Sequence, residues 1–336
     1  MGDHAVRFNT DALKGKNCLI TGGLGFLGSN LAIRLVELGA RVTIMDNMLA
    51  GHGANLFNIA PVRDQVTLTF SDIRDANLMG YLVQGQDYLF HLAGQVDHII
   101  SLTDPYPDID INIRGTATVM EACRQHNPNI RVVYTGTRGE YGTVPHLPVD
   151  EETPTTPRML LDVSNLTAEK IILMYHQVHH IPSVLLRLTN IYGARAQMRH
   201  PRYGVVNWFV RLAVDDETIK VFGDGAILRD FLYVEDCIDA ILMSVLCESA
   251  HGEIFNVATG DPCNFRALAE ELIDVSGSGR WEFAPFTPER AAQEPGDFYA
   301  DISKIRRIVG WAPATSLREG LTRTVAYYRA HKAHYW

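Results

Sequence analysis

Cysteine is scarce in this chain, basic runs and long apolar segments are missing, and each lack removes a class of protein. Five of the 336 residues are cysteines (Cys18, Cys123, Cys237, Cys247, Cys263), and no two form a Cys-x-x-Cys pair. That argues against a disulfide framework and a thiolate zinc site, and for free thiols in a reducing cytoplasm. No run of Lys or Arg interrupts a chain of formal net charge −9. Nucleic acid and anionic membrane are poor partners for such a surface, and a phosphorylated ligand needs local positive groups instead. No apolar run approaches the roughly 18 residues of a membrane span. The first sixteen residues are polar, and Gly2 is followed by Val6 where a myristoylation signal wants Ser or Thr. Internal repeats, low-complexity tracts and long linkers are also lacking.

What is present is a chain 46% hydrophobic and 21% charged, which suits one large core or two packed lobes. Strand-like runs near 17–21, 41–46, 66–70, 88–92, 130–135 and 183–188 alternate with helical patterns near 26–38, 75–84, 108–126 and 164–180. The alternation predicts a doubly wound parallel sheet with helices on both faces. After Asn190 the pattern breaks into short elements, with helices expected near 205–214, 235–247, 265–275 and 317–330. The expected division is a nucleotide-binding domain over 1–190, with late strands contributed from about 220–260, and a smaller substrate lobe over 191–336.

Residues Cys18-Leu-Ile-Thr-Gly-Gly-Leu-Gly-Phe-Leu-Gly28 run from a strand through a glycine-rich turn into a helix. Gly22 permits the tight turn, Gly25 lets backbone approach a phosphate, and Gly28 lets helix and strand pack closely. The free N–H groups at Phe26 and Leu27 and the positive end of the helix dipole then face the anion. A second strand, Arg41-Val-Thr-Ile-Met-Asp46, ends in an acid 18 residues beyond Gly28. A carboxylate there accepts ribose hydroxyls and repels a 2′-phosphate, so NAD is expected over NADP.

Several segments together resemble the extended short-chain dehydrogenases/reductases of the nucleotide-sugar epimerase/dehydratase type. They are Thr21–Gly28, Ser71-Asp-Ile-Arg74, His91-Leu-Ala-Gly-Gln95, Asn112-Ile-Arg-Gly-Thr116, Arg187–Gly193, Phe222–Asp230, and Pro295-Gly-Asp297 followed by Asp301-Ile-Ser-Lys304. The resemblance implies a Rossmann-type fold with a C-terminal substrate lobe, a homodimer through helices 108–126 and 164–180, and NAD as cofactor. It places Asn47, Asp72, Ile73, Leu92, Ala93, Gly94, Asn112, Thr135, Asn165 and Leu188 at the cofactor. At a nucleotide-sugar substrate it places Gln95, Thr137, Asn190, Val206, Arg229 and Asp297. Asp72 would receive the adenine amino group, or else cap helix 75–84. Arg229 would clasp a diphosphate, or else pair with Asp230 at the surface.

The chain departs from the family where the chemistry happens. The family's Ser/Thr falls on Thr137, but its Tyr-x-x-x-Lys pair reads Leu161 and Asn165. Leucine cannot take a hydroxyl proton, and asparagine supplies a hydrogen bond without charge. Asp162, beside the vacated position, and His98 are the candidate replacement bases. Their plainer roles would be a helix cap ahead of 164–180 and a hydrogen-bonded structural histidine. The dehydratase acid pair after the Ser/Thr reads Arg138-Gly139, which argues against elimination of water. The arginine that precedes Pro-Gly-Asp reads Glu294, with Arg290 as a possible compensation. His176 and His180 stand four apart on a helix, but no carboxylate or cysteine completes a zinc set, and no metal is expected. The expected function is epimerisation by transient hydride transfer. The alternatives are a cofactor-binding regulatory protein without chemistry, or an atypical lyase or reductase.

Overall fold

A computed structural model describes residues 10–287 and 294–336, so Gly2, Val6 and Arg290 lie outside the described residues. Seven strands form the main sheet: β1 Asn17–Thr21, β2 Arg41–Asp46, β3 Val66–Phe70, β4 Tyr88–His91, β5 Arg131–Thr137, β6 Ser183–Leu188 and, much later, Ile254–Val257. Their spatial order is Ile254–Val257, β6, β5, β4, β1, β2, β3, and every pairing is parallel. The order reverses between β1 and β4, which opens a crevice beyond the carboxyl ends of those strands.

Side chains alternate along the strands, and both faces are covered. Cys18, Ile20, Val42, Ile44, Phe90, Val133, Val184 and Leu186 face one apolar core. Leu19, Met45, Leu89, Val132 and Leu185 face the other. Helices α1 Phe26–Glu37 and Val234–Leu246 cover the first face, and α2 Ala76–Leu82, α4 Thr116–His126 and α5 Leu160–His179 the second. A short helix, α3 His98–Thr103, lies between β4 and α4; it is absent from the sequence reading because six residues carry too little periodicity. Asp97 caps it, its carboxylate accepting the N–H groups of Ile99 and Ile100.

Two predicted boundaries differ. The helix expected over 108–126 opens with a π-helical stretch, Asp108–Gly115, before α4. A Cβ at Gly115 would stand 2.5 Å from the Ile73 Cδ1, so a small residue sits where the wide turn presses on the loop between β3 and α2. Helix α5 starts at Leu160, not 164, with Met159 at its N-cap position and no side-chain cap. Asp162 is therefore inside the first turn and not a cap.

The remaining chain builds β7 Asn190–Tyr192, α6 Val205–Val214, β8 Thr218–Phe222, β9 Leu228–Tyr233, Pro262–Asn264, Phe265–Ser276 and Arg280–Ala284. Strand β9 lies between β7 and Pro262–Asn264, while β8 pairs with Arg280–Ala284. No helix among the described residues is long and apolar enough to cross a membrane. All five cysteines are free, and burial pushes the thiols of Cys18 and Cys123 up to about 12.

Candidate active site

A cavity of about 400 Å³ runs along the carboxyl ends of β1, β2, β4, β5 and β6. Gly22, Gly25, Phe26, Leu27, Gly28, Asp46, Asn47 and Ile73 line one part, and Leu92, Ala93, Gly94, Gln95 and Asn112 the middle. His98, Thr135, Thr137, Leu161, Asn165 and Leu188 line it too. Tyr203, Gly204 and Asn207, which the sequence reading missed, close the far wall at the start of α6. Their short turn lacks periodicity, so nothing local marked them.

The glycine turn is held for close approach. Gly22 has φ +72°, and a Cβ there would stand 2.8 Å from the Ala93 backbone. A Cβ on Gly28 would come 2.3 Å from the Gly22 carbonyl oxygen, so α1 sits tight on the turn. Gly25 differs: a Cβ there meets only the Gly22 oxygen, at 3.3 Å, and otherwise open space. Asp46 accepts the Leu24 N–H at 3.0 Å and the Met48 N–H at 2.8 Å. Burial raises its carboxyl above the ordinary range, while those two bonds pull it back. Each oxygen keeps a lone pair for a ribose hydroxyl. This arrangement fits NAD: a free phosphate-facing helix end, and an acid at the ribose.

Asp72 departs from expectation. It does not line the cavity; Arg74 grips it through Nε and Nη2, both at 2.8 Å, and Asn47 donates to it at 2.9 Å. Those bonds to Arg74 hold its carboxyl down at about 2. Nor does it cap the helix, since Asp75 accepts the Leu78 N–H.

Around Thr137, β5 ends in a capping box. The Thr137 hydroxyl oxygen accepts the Gly139 N–H at 3.1 Å, and the Glu140 carboxylate accepts the Thr137 N–H at 2.8 Å. The Thr137 proton remains available to a ligand. Glu140 is buried with Glu169 against Arg187, whose Nε lies 2.8 Å from Glu169 and 3.2 Å from Glu140. Burial, then the Glu169 charge, push Glu140 well above its ordinary range.

The two candidate bases part company. His98 lines the cavity and makes no hydrogen bond among the described residues, so it is not a bonded structural histidine. Asp162 stays outside the lining, its carboxylate packed on Gly139 with Oδ1 buried and unpartnered. Burial raises Asp162, and the charges of His98 and Arg138 draw it back down. Leu161 stands in the wall with Asn165, whose Oδ1 accepts the Tyr134 hydroxyl at 3.0 Å and whose Nδ2 donates to the Leu161 carbonyl at 2.8 Å.

The substrate-side expectations change most. Val206 is buried in the core of α6 and does not line the cavity. Asn190 is also outside the lining, and its Oδ1 takes a bond from the Arg138 Nε at 2.8 Å. Arg229 is buried and not a surface partner of Asp230: it pairs with Glu294 and donates to the Leu228 and Gly296 carbonyls. Asp230 instead accepts from Thr259 and Gly260. Asp297 accepts the Leu228 N–H at 2.9 Å. His176 donates its Nδ1–H to the Ile181 carbonyl at 3.1 Å.

The sequence profile of the NAD dependent epimerase/dehydratase family matches residues 18–258. The chain belongs to that family. Among its relatives is a UDP-glucose 4-epimerase of Mycolicibacterium smegmatis, 33% identical over 93% of this chain and 98% of that protein. The UDP-glucose 4-epimerase of Thermotoga maritima, solved with UDP-glucose, superposes with a TM-score of 0.85 at 28% identity, covering 94% of this chain and 99% of that one. The Thermus thermophilus UDP-glucose 4-epimerase, solved with NAD, gives 0.81 at 27% identity, covering 93% and 99%. The residues that line the cavity just described fit the family's NAD.

One buried member of the cavity wall sets a stability test. His91 lies between the Thr21 and Thr116 hydroxyls, at 2.8 and 3.0 Å, and burial lowers its pKa from 6.5 to about 4. The unfolded chain thus binds this proton first, so the contribution is whole above pH 6.5 and is lost as pH falls towards 4. The loss amounts to roughly 3 kcal/mol. Urea titrations at pH 7 and pH 4.5 should show a smaller difference for His91→Asn than for the parent. The buried carboxyls, whose shifts act in the opposite sense, cancel in that comparison.

Proposed function

We propose that the protein epimerises a nucleotide-linked sugar and takes the ring-hydroxyl proton onto His98. The observation that carries this reading is an unbonded imidazole in the wall of the same cavity as Thr137, where Leu161 and Asn165 supply no base. Bound NAD provides a reversible hydride acceptor for the ring carbon. Gly22, Gly25, Gly28 and Asp46 would hold it, and Thr137 would donate to the sugar hydroxyl and orient it. His98 accepts the hydroxyl proton as the carbon is oxidised and returns it after the face of the ring has changed. No proton is consumed overall. The Arg138-Gly139 sequence lacks the acid pair for elimination, which favours epimerisation over dehydration. Relatives acting on UDP-glucose support the substrate class.

A second copy of the chain would cover the apolar side chains exposed on α3 and α5, among them Ile99, Leu102, Val163, Met174 and Val178. A cytoplasmic homodimer is the assembly that follows.

The reaction is checked by incubating the NAD-loaded protein with UDP-sugars deuterated at the ring carbons. Inverted sugar with deuterium kept on the inverted carbon is expected. Full NAD binding with no inversion and no transient nicotinamide reduction would instead favour a cofactor-binding protein without chemistry.

A further inference from the structure

Beyond the proton acceptor, the cations of the substrate end are arranged in an unexpected way. The Asn190 side chain is engaged by Arg138, and Arg229 is neutralised by a carboxylate of the protein itself, Glu294. Two groups that the resemblance assigned to a nucleotide-sugar substrate are thus occupied from within. Arg138 has the opposite character. Its Nε is bonded to Asn190 and its guanidinium lies 5.2 Å over the Phe298 ring, but its Nη groups make no hydrogen bond among the described residues. It follows Thr137 directly, and Thr189 and Ile191, on either side of its partner Asn190, line the cavity. Neither Arg138 nor Asn190 is itself among the lining residues, but the fork is held rigid at one nitrogen, its Nη atoms are not sealed from solvent, and it stands next in the chain to Thr137, whose hydroxyl would orient the sugar.

We infer that Arg138 is a specificity residue that receives a carboxylate carried by the sugar ring of the substrate. This rests on the sugar-nucleotide reading above and narrows it to the uronic acid class. A planar fork with its two outer nitrogens unbonded matches a carboxylate in a bidentate pair, which a neutral sugar hydroxymethyl group cannot provide. The carboxylates around Arg138 do not take that place. Asp230 has its oxygens filled by Thr259 and Gly260, Glu294 is on Arg229, and Asp162 forms no ion pair with Arg138 within 4 Å. Burial, then the Arg229 charge, draw the Arg138 guanidinium down to about 10, so its surroundings leave the cation under-compensated. An arriving anion relieves that cost.

The experiment is calorimetric binding of UDP-glucuronate and UDP-glucose to the NAD-loaded protein, with the NAD affinity measured in parallel. The parent should prefer UDP-glucuronate by at least about tenfold, the scale of one charge-assisted pair. Arg138→Gln should bring that ratio to about one, and Arg138→Lys, which keeps the charge without the fork, should fall between. NAD affinity should be unchanged in both variants, which reports an intact fold. Equal affinity of the parent for the two ligands overturns the assignment and leaves the sugar-nucleotide reading standing. A variant that weakens both ligands alike makes Arg138 structural and overturns it too. If neither ligand binds the parent, the assignment and the reading beneath it both fail.

Discussion

Replacing His98 by alanine is expected to lower kcat by about 10²–10⁴-fold, the usual worth of a positioned general base. NAD affinity should stay as it was, because the groups that would hold the cofactor, Gly22, Gly25, Gly28 and Asp46, belong to β1, α1, β2 and the turn between them. The effect is large because the family's tyrosine position supplies no base: Leu161 is hydrocarbon, Asn165 beside it is bonded at both ends, and the Tyr134 phenol is pushed far above its ordinary range by burial. An imidazole acting as base must be neutral, so kcat/KM should fall on the acid side of the profile, and His98→Ala should lose that limb. Asp162→Asn should leave most of the rate, since its carboxylate is outside the cavity. If His98→Ala retains the parent's rate and pH profile, proton transfer lies elsewhere.

Gly25→Val is expected to abolish NAD binding with little change in stability. Gly25 has φ −75° and ψ −173°, an extended conformation open to any residue, so the backbone is not strained by a side chain. The space around it is open except for the Gly22 oxygen at 3.3 Å, and that space belongs to the cavity. A valine there occupies the place of a phosphate over the helix end. Each hydrogen bond lost to a charged group is worth about 1.5–3 kcal/mol, so two losses weaken binding by more than about 100-fold. Titration of NAD against intrinsic fluorescence measures the affinity, and a thermal melt shows that the fold persists. Gly28→Val is the contrasting case. Its Cβ collides with the turn backbone at 2.3 Å, so stability should fall together with binding.

The glycine turn and the Asp46 strand end, which line one part of the cavity, were legible because their parts are local. The turn, the helix N-terminus and the Asp46 strand end lie in one stretch of chain, and each position has a backbone reason for its residue type. The strands over 17–21, 41–46, 66–70 and 183–188 were legible for the same reason, as short apolar runs bounded by turn residues. Asp72 misled because an acid at a strand end looks alike whether it meets a ligand or a neighbour; here Arg74, two residues on, claims it. Val206 misled because a helix pattern does not reveal which of its turns faces the cavity; Tyr203, Gly204 and Asn207 line it instead.

The sequence by itself determined a parallel α/β sheet and a glycine turn with an acid at the next strand end, and its resemblance to the family sets Leu161 and Asn165 at the Tyr-x-x-x-Lys positions. The sheet and the turn follow from spacing and residue type within short windows. Only the tertiary structure decided that His98 faces the cavity while Asp162 packs behind it, that Glu294 neutralises Arg229, and that Arg138 takes Asn190. Those partners lie 65 and 52 residues apart in the chain, and ion pairs and burial are set by which distant segments the fold brings together.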